Sequence, residues 1–152
     1  MSKVLEITLN NGRCGDKQLG PKTGELDSFQ SIEDIIEAYR KQNEYFVYHL
    51  AMADNSVDLA HMERAPLPFL SCMVDDCIKR GISVQEGGAV YNFTGPQGFG
   101  IANMADSLYA IRKLVFEEKK YTLEQVRDAL LANFEGFEGL RRDCLNAPKY
   151  GN

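Results

Sequence analysis

Basic residues are too few in this sequence to hold a nucleic-acid backbone. Lys and Arg number 17 against 22 Asp and Glu, a formal net charge of −5. Phosphate binding needs clustered cations, so a nucleic-acid partner is excluded as the main function. Long apolar runs are missing too. None approaches the roughly 18 residues of a membrane span, and the N-terminus lacks the apolar centre of a signal peptide. No membrane partner is expected, and the expected location is cytoplasmic. Cysteine and histidine are sparse and scattered. Cys14, Cys72, Cys77 and Cys144 follow neither zinc nor redox spacing, and only His49 and His61 accompany them, so no metal site is expected. Free thiols in a reducing compartment are the better reading. Internal repeats and low-complexity tracts are absent.

What remains is an ordinary soluble composition, 44% apolar and 26% charged over 152 residues, the size of one domain. Val4 to Leu9 is a short β-branched and apolar run whose periodicity fits strand or helix, with the residue types leaning to strand. Asn10, Asn11 and Gly12 break it, and Asp16 to Gly24 reads as loop. Ser31 and Asp34 have capping-box spacing. From Ile32 a helix runs toward His61, with Ile35, Ile36, Tyr39, Phe46 and Leu50 near helical spacing. Tyr39, Tyr45, Phe46 and Tyr48 form an aromatic belt suited to packing against a larger body. Pro66 and Pro68 precede a helix over Phe69 to Arg80, stopped by Gly81. Asp75 and Asp76 are adjacent, hence about 100° apart on a helix, and read as a solvated or capping pair. Thr122 and Gln125 open a further helix to about Phe134, and a last one covers Phe137 to Leu145 before Ala147-Pro148.

The stretch from Gly87 to Lys120, GGAVYNFTGPQGFGIANMADSLYAIRKLVFEEKK, organises the rest. Ala89 to Phe93 reads as a short strand. Tyr91, Asn92, Phe93 and Thr94 offer a phenol, an amide, an apolar ring and a hydroxyl, the chemistry of a strand end lining a pocket. A loop containing Gly95, Pro96, Gly98 and Gly100 comes next, and the sharp turn predicts positive φ at Gly95 or Gly98. The glycine order fits neither a dinucleotide fingerprint nor a P-loop. On the residues alone, a tight turn feeding a buried helix competes with a functional loop. The helix beyond carries Met104, Leu108, Ile111, Leu114 and Val115 on one face.

GGAVYNFTGPQGFGIANMADSLYAIRKLVF resembles the late barrel segment of the glycyl radical enzymes, the pyruvate formate-lyase superfamily. KVLEITLNNGRC, KQLGPKTG, PLPFLSCMVDDCIKRG and LNAPKYGN resemble that family as well, and in its usual order. YNFTGPQG is more similar to the diol dehydratase and amino-alcohol lyase branch than to the enzymes that cleave pyruvate. The resemblance implies an α/β, helix-rich fragment of the family's ten-stranded α/β barrel, with residues 1–152 forming a partial pyruvate formate-lyase-type barrel domain. The parent enzyme implied is a dehydratase or C–N lyase, formate acetyltransferase-like in family and belonging to anaerobic metabolism. It would abstract hydrogen from a small vicinally substituted alcohol. It would carry a protein glycyl radical and need a radical S-adenosylmethionine activating enzyme as partner. Tyr91, Asn92, Phe93 and Thr94 are the expected substrate-binding residues.

Two parts of that chemistry are not in this sequence. No cysteine is set in a Gly-Cys-Val-Glu-Pro-like finger loop, and no Arg-Val-x-Gly-like radical motif occurs. No residue is therefore assigned a catalytic role and no cofactor is assigned to this chain. The expectation is an interior fragment, inactive alone and prone to self-association through exposed barrel surface. The competing reading is a stand-alone helical module that binds a protein partner through an apolar face.

Overall fold

The computed structural model describes residues Met1 to Tyr150, which divide into two compact units. The first comprises residues 1–46 and 98–150, the second residues 47–97.

The first unit holds the core. Helix α1 covers Ser2–Leu9 and buries Leu5, Ile7, Thr8 and Leu9. The lean toward strand for this run is thus corrected. Leu5 and Leu9, one turn apart, both enter the core, and the Thr8 hydroxyl is satisfied within the helix by donating to Val4 O at 2.7 Å. Burial outweighs β propensity here. Gly12, at φ +82°, ends the helix, its N–H donating to Ile7 O at 2.8 Å.

The loop after Gly12 contains one element that its composition did not announce. Strands β1 (Arg13–Cys14) and β2 (Lys17–Gln18) pair antiparallel, Arg13 opposite Gln18. Three amide side chains hold the chain from Gly20 to Gly24. Asn11 Oδ1 accepts from the N–H groups of Thr23 and Gly24 at 2.9 and 3.2 Å. Gln18 Nε2 donates to Asn11 O and Gly20 O at 2.9 and 2.8 Å. Gln42 Nε2 donates to Pro21 O at 2.6 Å and Thr23 Oγ1 at 3.0 Å.

Helix α2, Ile32–Arg64, runs unbroken past Asn55. Asp34 Oδ2 accepts from the N–H groups of Gln30 and Ser31, each at 2.9 Å, while Asp34 N–H donates to Ser31 Oγ at 3.3 Å. The Gln30 and Ser31 donors hold the Asp34 carboxyl below the usual carboxylate range. Only the start of α2 is buried, at Ile32, Ile35, Ala38, Tyr39 and Gln42.

Helix α5, Ile101–Ile111, continues as a π-helical turn over Arg112–Glu117, with Glu118 N–H reaching Lys113 O at 2.8 Å. Its expected apolar face is real. Ile111 and Leu114 are buried, while Met104, Leu108 and Val115 pack at the edge of the core. Helix α6, Leu123–Leu131, opens with the expected box: Thr122 Oγ1 accepts from Gln125 N–H at 3.2 Å, and Gln125 Oε1 accepts from Thr122 N–H at 2.9 Å. Helix α7 spans Glu138–Asn146 and buries Leu140.

In the second unit the expected helix from Phe69 to Arg80 is two helices, α3 (Pro68–Met73) and α4 (Cys77–Arg80). Val74 is extended, and Asp76 takes a left-handed conformation at φ +74° before α4 starts. Aspartate tolerates that region better than most residues. Gly81, at φ +65°, ends α4 as expected. Buried Ser71 ties the unit together: its hydroxyl donates to Leu67 O at 2.8 Å and accepts from Val84 N–H at 3.0 Å.

The strand expected at Ala89 to Phe93 is not formed. The chain bends through Ala89 to Tyr91 and has no regular structure from Asn92 to Gly98. A strand exists only with a neighbour, and no backbone–backbone hydrogen bond from Val90 to Gly98 is found among the described residues.

Candidate functional site

The segment carrying Tyr91, Asn92, Phe93 and Thr94 is fixed firmly at its entrance. A 3-10 turn, Val84–Glu86, is closed by Glu86 Oε2 accepting from Ser83 N–H and Oγ at 3.0 and 2.8 Å. These two donors hold the Glu86 carboxyl below its ordinary value, so it serves as a cap and not as a base. Gly87 comes next at φ +80°. Gly88 lies flat on the preceding turn, where a Cβ would stand 2.1 Å from Ile82 O. The Arg80 guanidinium then donates to Gly87 O and Gly88 O at 3.2 and 3.0 Å.

Beyond this anchor the four side chains project. The rings of Tyr91 and Phe93 stack with centroids 6.1 Å apart and planes 20° apart, and they are 78% and 84% exposed. Asn92 faces a groove of about 460 Å³ with Asn55, Asp58, Leu59 and Met62 of α2 and with Gln85 to Gly87. The 55, 58, 59, 62 spacing puts those α2 side chains on one helix face. The arrangement supplies amide and carboxylate groups for hydroxyl recognition beside an apolar aromatic platform. Thr94 is exposed and adds a hydroxyl. Sequence reasoning named the four contiguous residues; the α2 residues that share the groove with Asn92 carry no motif and were not named.

The glycine loop is corrected in one respect. Neither Gly95 nor Gly98 has positive φ; the left-handed residue is Gly100, at φ +75°, in the N-cap position of α5. The turn is completed at the helix entrance and not at the loop tip. A Cβ at Gly95 would meet nothing within 4 Å, whereas one at Gly100 would stand 2.5 Å from Ser2 Oγ. Gly95→Ala is therefore expected to stay within about 0.5 kcal/mol of the parent, and Gly100→Ala to cost about 1–3 kcal/mol. Urea unfolding of both variants checks the contrast; equal midpoints would contradict it.

A second concavity, of about 750 Å³, lies in the first unit and is mostly apolar, lined among others by Leu5, Leu9, Ile111, Val126 and Leu140. Tyr121 stands at its edge and donates to Asp143 Oδ2 at 2.6 Å, an oxygen that Lys120 Nζ also reaches at 2.6 Å. Lys120 first, then Tyr121, holds the Asp143 carboxyl below the usual range, and Asp143 raises both partners. Cys144 lines the same concavity, and burial pushes its thiol up. A thiol kept protonated in this way is a poor nucleophile. Sequence reasoning missed this cluster, whose members lie 22 residues apart. No cluster of three or more metal-ligating side chains occurs among the described residues, and no helix there is long and apolar enough to cross a membrane.

Comparison with known proteins gives a consistent answer. The chain matches the family described as pyruvate formate lyase-like over residues 1–152. It is 42% identical over 153 residues to trans-4-hydroxy-L-proline dehydratase of Clostridioides difficile, covering 99% of this chain and 19% of that protein. Among solved structures, the glycerol-bound B12-independent glycerol dehydratase from Clostridium butyricum is similar with a TM-score of 0.89 and 49% identity, over 99% of this chain and 19% of that one. A glycyl radical enzyme from Archaeoglobus fulgidus is similar at TM-score 0.86 and 37% identity, again over 99% and 19%. The chain thus spans about one fifth of the length of these relatives. With an identity of 42% carried along 99% of the chain and a family match over all 152 residues, the chain belongs to the pyruvate formate lyase-like family.

Proposed function

We propose that these residues serve as part of the wall of a glycyl radical dehydratase or C–N lyase, acting on a small vicinally substituted alcohol. The observation that carries this reading is the 49% identity and TM-score of 0.89 to a dehydratase solved with glycerol bound. Tyr91, Asn92, Phe93 and Thr94 line the substrate pocket, by shape and hydrogen bonding. The stacked rings present an apolar face to the substrate's carbon skeleton, and Asn92 orients a hydroxyl.

The radical chemistry of the family does not fit the residues present. No cysteine stands in a Val-Glu-Pro setting, and no radical-glycine motif occurs in the sequence. Hydrogen abstraction and radical storage are assigned to residues outside these 152, the radical being loaded by a radical S-adenosylmethionine activating enzyme in the cytoplasm. The exposed apolar surface of the isolated chain leads it to associate with itself. No observation favours the rival reading of a helical interaction module.

A chimera tests the assignment. Residues 1–150 replace the matching fifth of the C. butyricum enzyme, and the product is activated anaerobically. It is expected to load the glycyl radical and dehydrate a small diol. Tyr91→Ala or Asn92→Ala within it should raise KM about tenfold, the worth of one hydrogen bond or ring contact, with radical content unchanged. A radical-loaded chimera indifferent to both substitutions would remove the site from the substrate pocket.

A further inference from the structure

We infer that Arg80 is a positioning residue for the substrate pocket. Its guanidinium fixes the direction in which the chain leaves the Gly87–Gly88 turn, and so the depth at which Tyr91 and Asn92 meet the substrate. The inference deepens the pocket reading proposed above and rests on it.

Gly87 O and Gly88 O belong to consecutive residues, yet both accept from the same guanidinium nitrogen, Arg80 Nη1, at 3.2 and 3.0 Å. Their oxygen ends therefore converge, and on their own they repel each other. Successive N–H groups gathered on one side of a turn hold an anion; successive carbonyls gathered in the same way are held by a cation. Arginine supplies that cation at any physiological pH, because its guanidinium does not deprotonate. A charged donor also makes a stronger hydrogen bond than a neutral one.

The turn needs such a restraint. Glycine at position 88 is demanded by space, since a Cβ there would stand 2.1 Å from Ile82 O. Gly87 is left-handed, at φ +80°. Two glycines in succession bring backbone freedom with them, and the guanidinium removes it. Both ends of the bridge are held by other bonds. Arg80 closes α4, its own N–H donating to Asp76 O at 2.8 Å. Gly87 N–H and Gly88 N–H donate to Val84 O and Ser83 O at 3.2 and 2.9 Å. Leu67 N–H donates to Gln85 Oε1 at 3.1 Å, and Ser71 Oγ accepts from Val84 N–H. Every group in this latch lies between Leu67 and Gly88, so it is complete whatever polypeptide packs around it. Only Ala89 and Val90 separate it from Tyr91. A rotation at Gly88 passes straight into the placement of the Tyr91 ring and the Asn92 amide, and a misplacement of about 1 Å is enough to impair a site markedly.

Two measurements test the inference. In the full chain, Arg80→Met is expected to speed amide hydrogen exchange at Gly87 and Gly88 about tenfold, the fold-change that loss of a charge-assisted bond gives. Arg80→Lys, which keeps the cation, should stay within about threefold of the parent. Unchanged exchange in Arg80→Met overturns the latch whatever the pocket does. In the radical-loaded chimera described above, Arg80→Met should raise KM about tenfold with radical content unchanged, and Arg80→Lys should restore most of the loss. Added to the combined Tyr91→Ala and Asn92→Ala variant, Arg80→Met should change KM by less than about twofold, because it acts through those two side chains. An equal rise in both backgrounds overturns the positioning role. An unchanged KM in Arg80→Met, with Tyr91→Ala still raising it, overturns that role and leaves the pocket standing. Indifference of KM to Tyr91→Ala and Asn92→Ala removes the pocket and the role of Arg80 in it. Should Arg80→Met fail to load the radical, Arg80→Gln, a neutral donor, replaces it with the same expectations.

Discussion

Gly12→Ala is expected to be among the most damaging single substitutions in the chain, lowering stability by about 3–5 kcal/mol. Two costs combine. At φ +82° an alanine is strained before any contact is counted, and its Cβ would lie 2.3 Å from Pro21 O, 2.4 Å from Gln18 Nε2 and 2.7 Å from Gly20 O. Two of these neighbours are main-chain carbonyls and cannot rotate away. The third, the Gln18 amide, is held by bonds to Asn11 O and Gly20 O. Relief requires the loop from Gly12 to Gly24 to open, which exposes the Gln42 side chain buried beneath it. Set against a typical domain stability of about 5–15 kcal/mol, the loss leaves little. Gly15 is the control. It has φ +56° but nothing within 4 Å of its Cβ position, so alanine there should cost about 1 kcal/mol. Urea denaturation compares the two. A Gly12→Ala midpoint as high as that of Gly15→Ala would show that the loop is not locked around this residue.

Complete absence of a radical is the second large effect expected. Purified alone and incubated anaerobically with an activating enzyme and S-adenosylmethionine, this chain should give no glycyl radical signal in electron paramagnetic resonance. The motive is chemical. A storage glycine must sit in a motif that the activating enzyme engages, and a thiyl radical needs a thiol beside it. Of the thiols present, Cys77 is buried, Cys72 is exposed, and Cys14 and Cys144 are half-buried. None is set in the family's finger-loop sequence. A doublet from this polypeptide would mean that radical storage occurs on residues assigned here to the pocket wall.

The parts of the fold legible in the sequence are those fixed by neighbours a few residues away. The Thr122 and Gln125 side chains exchange bonds across a single turn, so their spacing alone announces α6. The same holds for Ser31 and Asp34 at the head of α2. Where the deciding partner is remote, local reading failed. Val4 to Leu9 suits a strand until the core that takes up Leu5 and Leu9 is known. Val90 to Phe93 has the composition of a strand, but a strand is a relation between two segments, and the second is not among the described residues. The left-handed Asp76 that splits α3 from α4 leaves no mark that a helical pattern would register. In the site, four consecutive residues could be chosen by chemistry. Asn55 and Asp58 reach the same groove only because α2 brings them there.

The clasp around Asn11 also governs how this protein ages. Asn11-Gly12 is the dipeptide most prone to spontaneous deamidation, in which the glycine nitrogen attacks the asparagine side-chain carbonyl to form a succinimide. Here the attacking nitrogen is occupied, its N–H donated to Ile7 O at 2.8 Å. The electrophile is occupied as well, with Asn11 Oδ1 accepting from Thr23 and Gly24 N–H and Nδ2 donating to Glu25 Oε1 at 2.7 Å. The ring cannot close until these bonds part. Slow conversion of Asn11 to aspartate or isoaspartate on storage therefore acts as a clock for opening of the loop, and any change that loosens the loop should make the clock run faster.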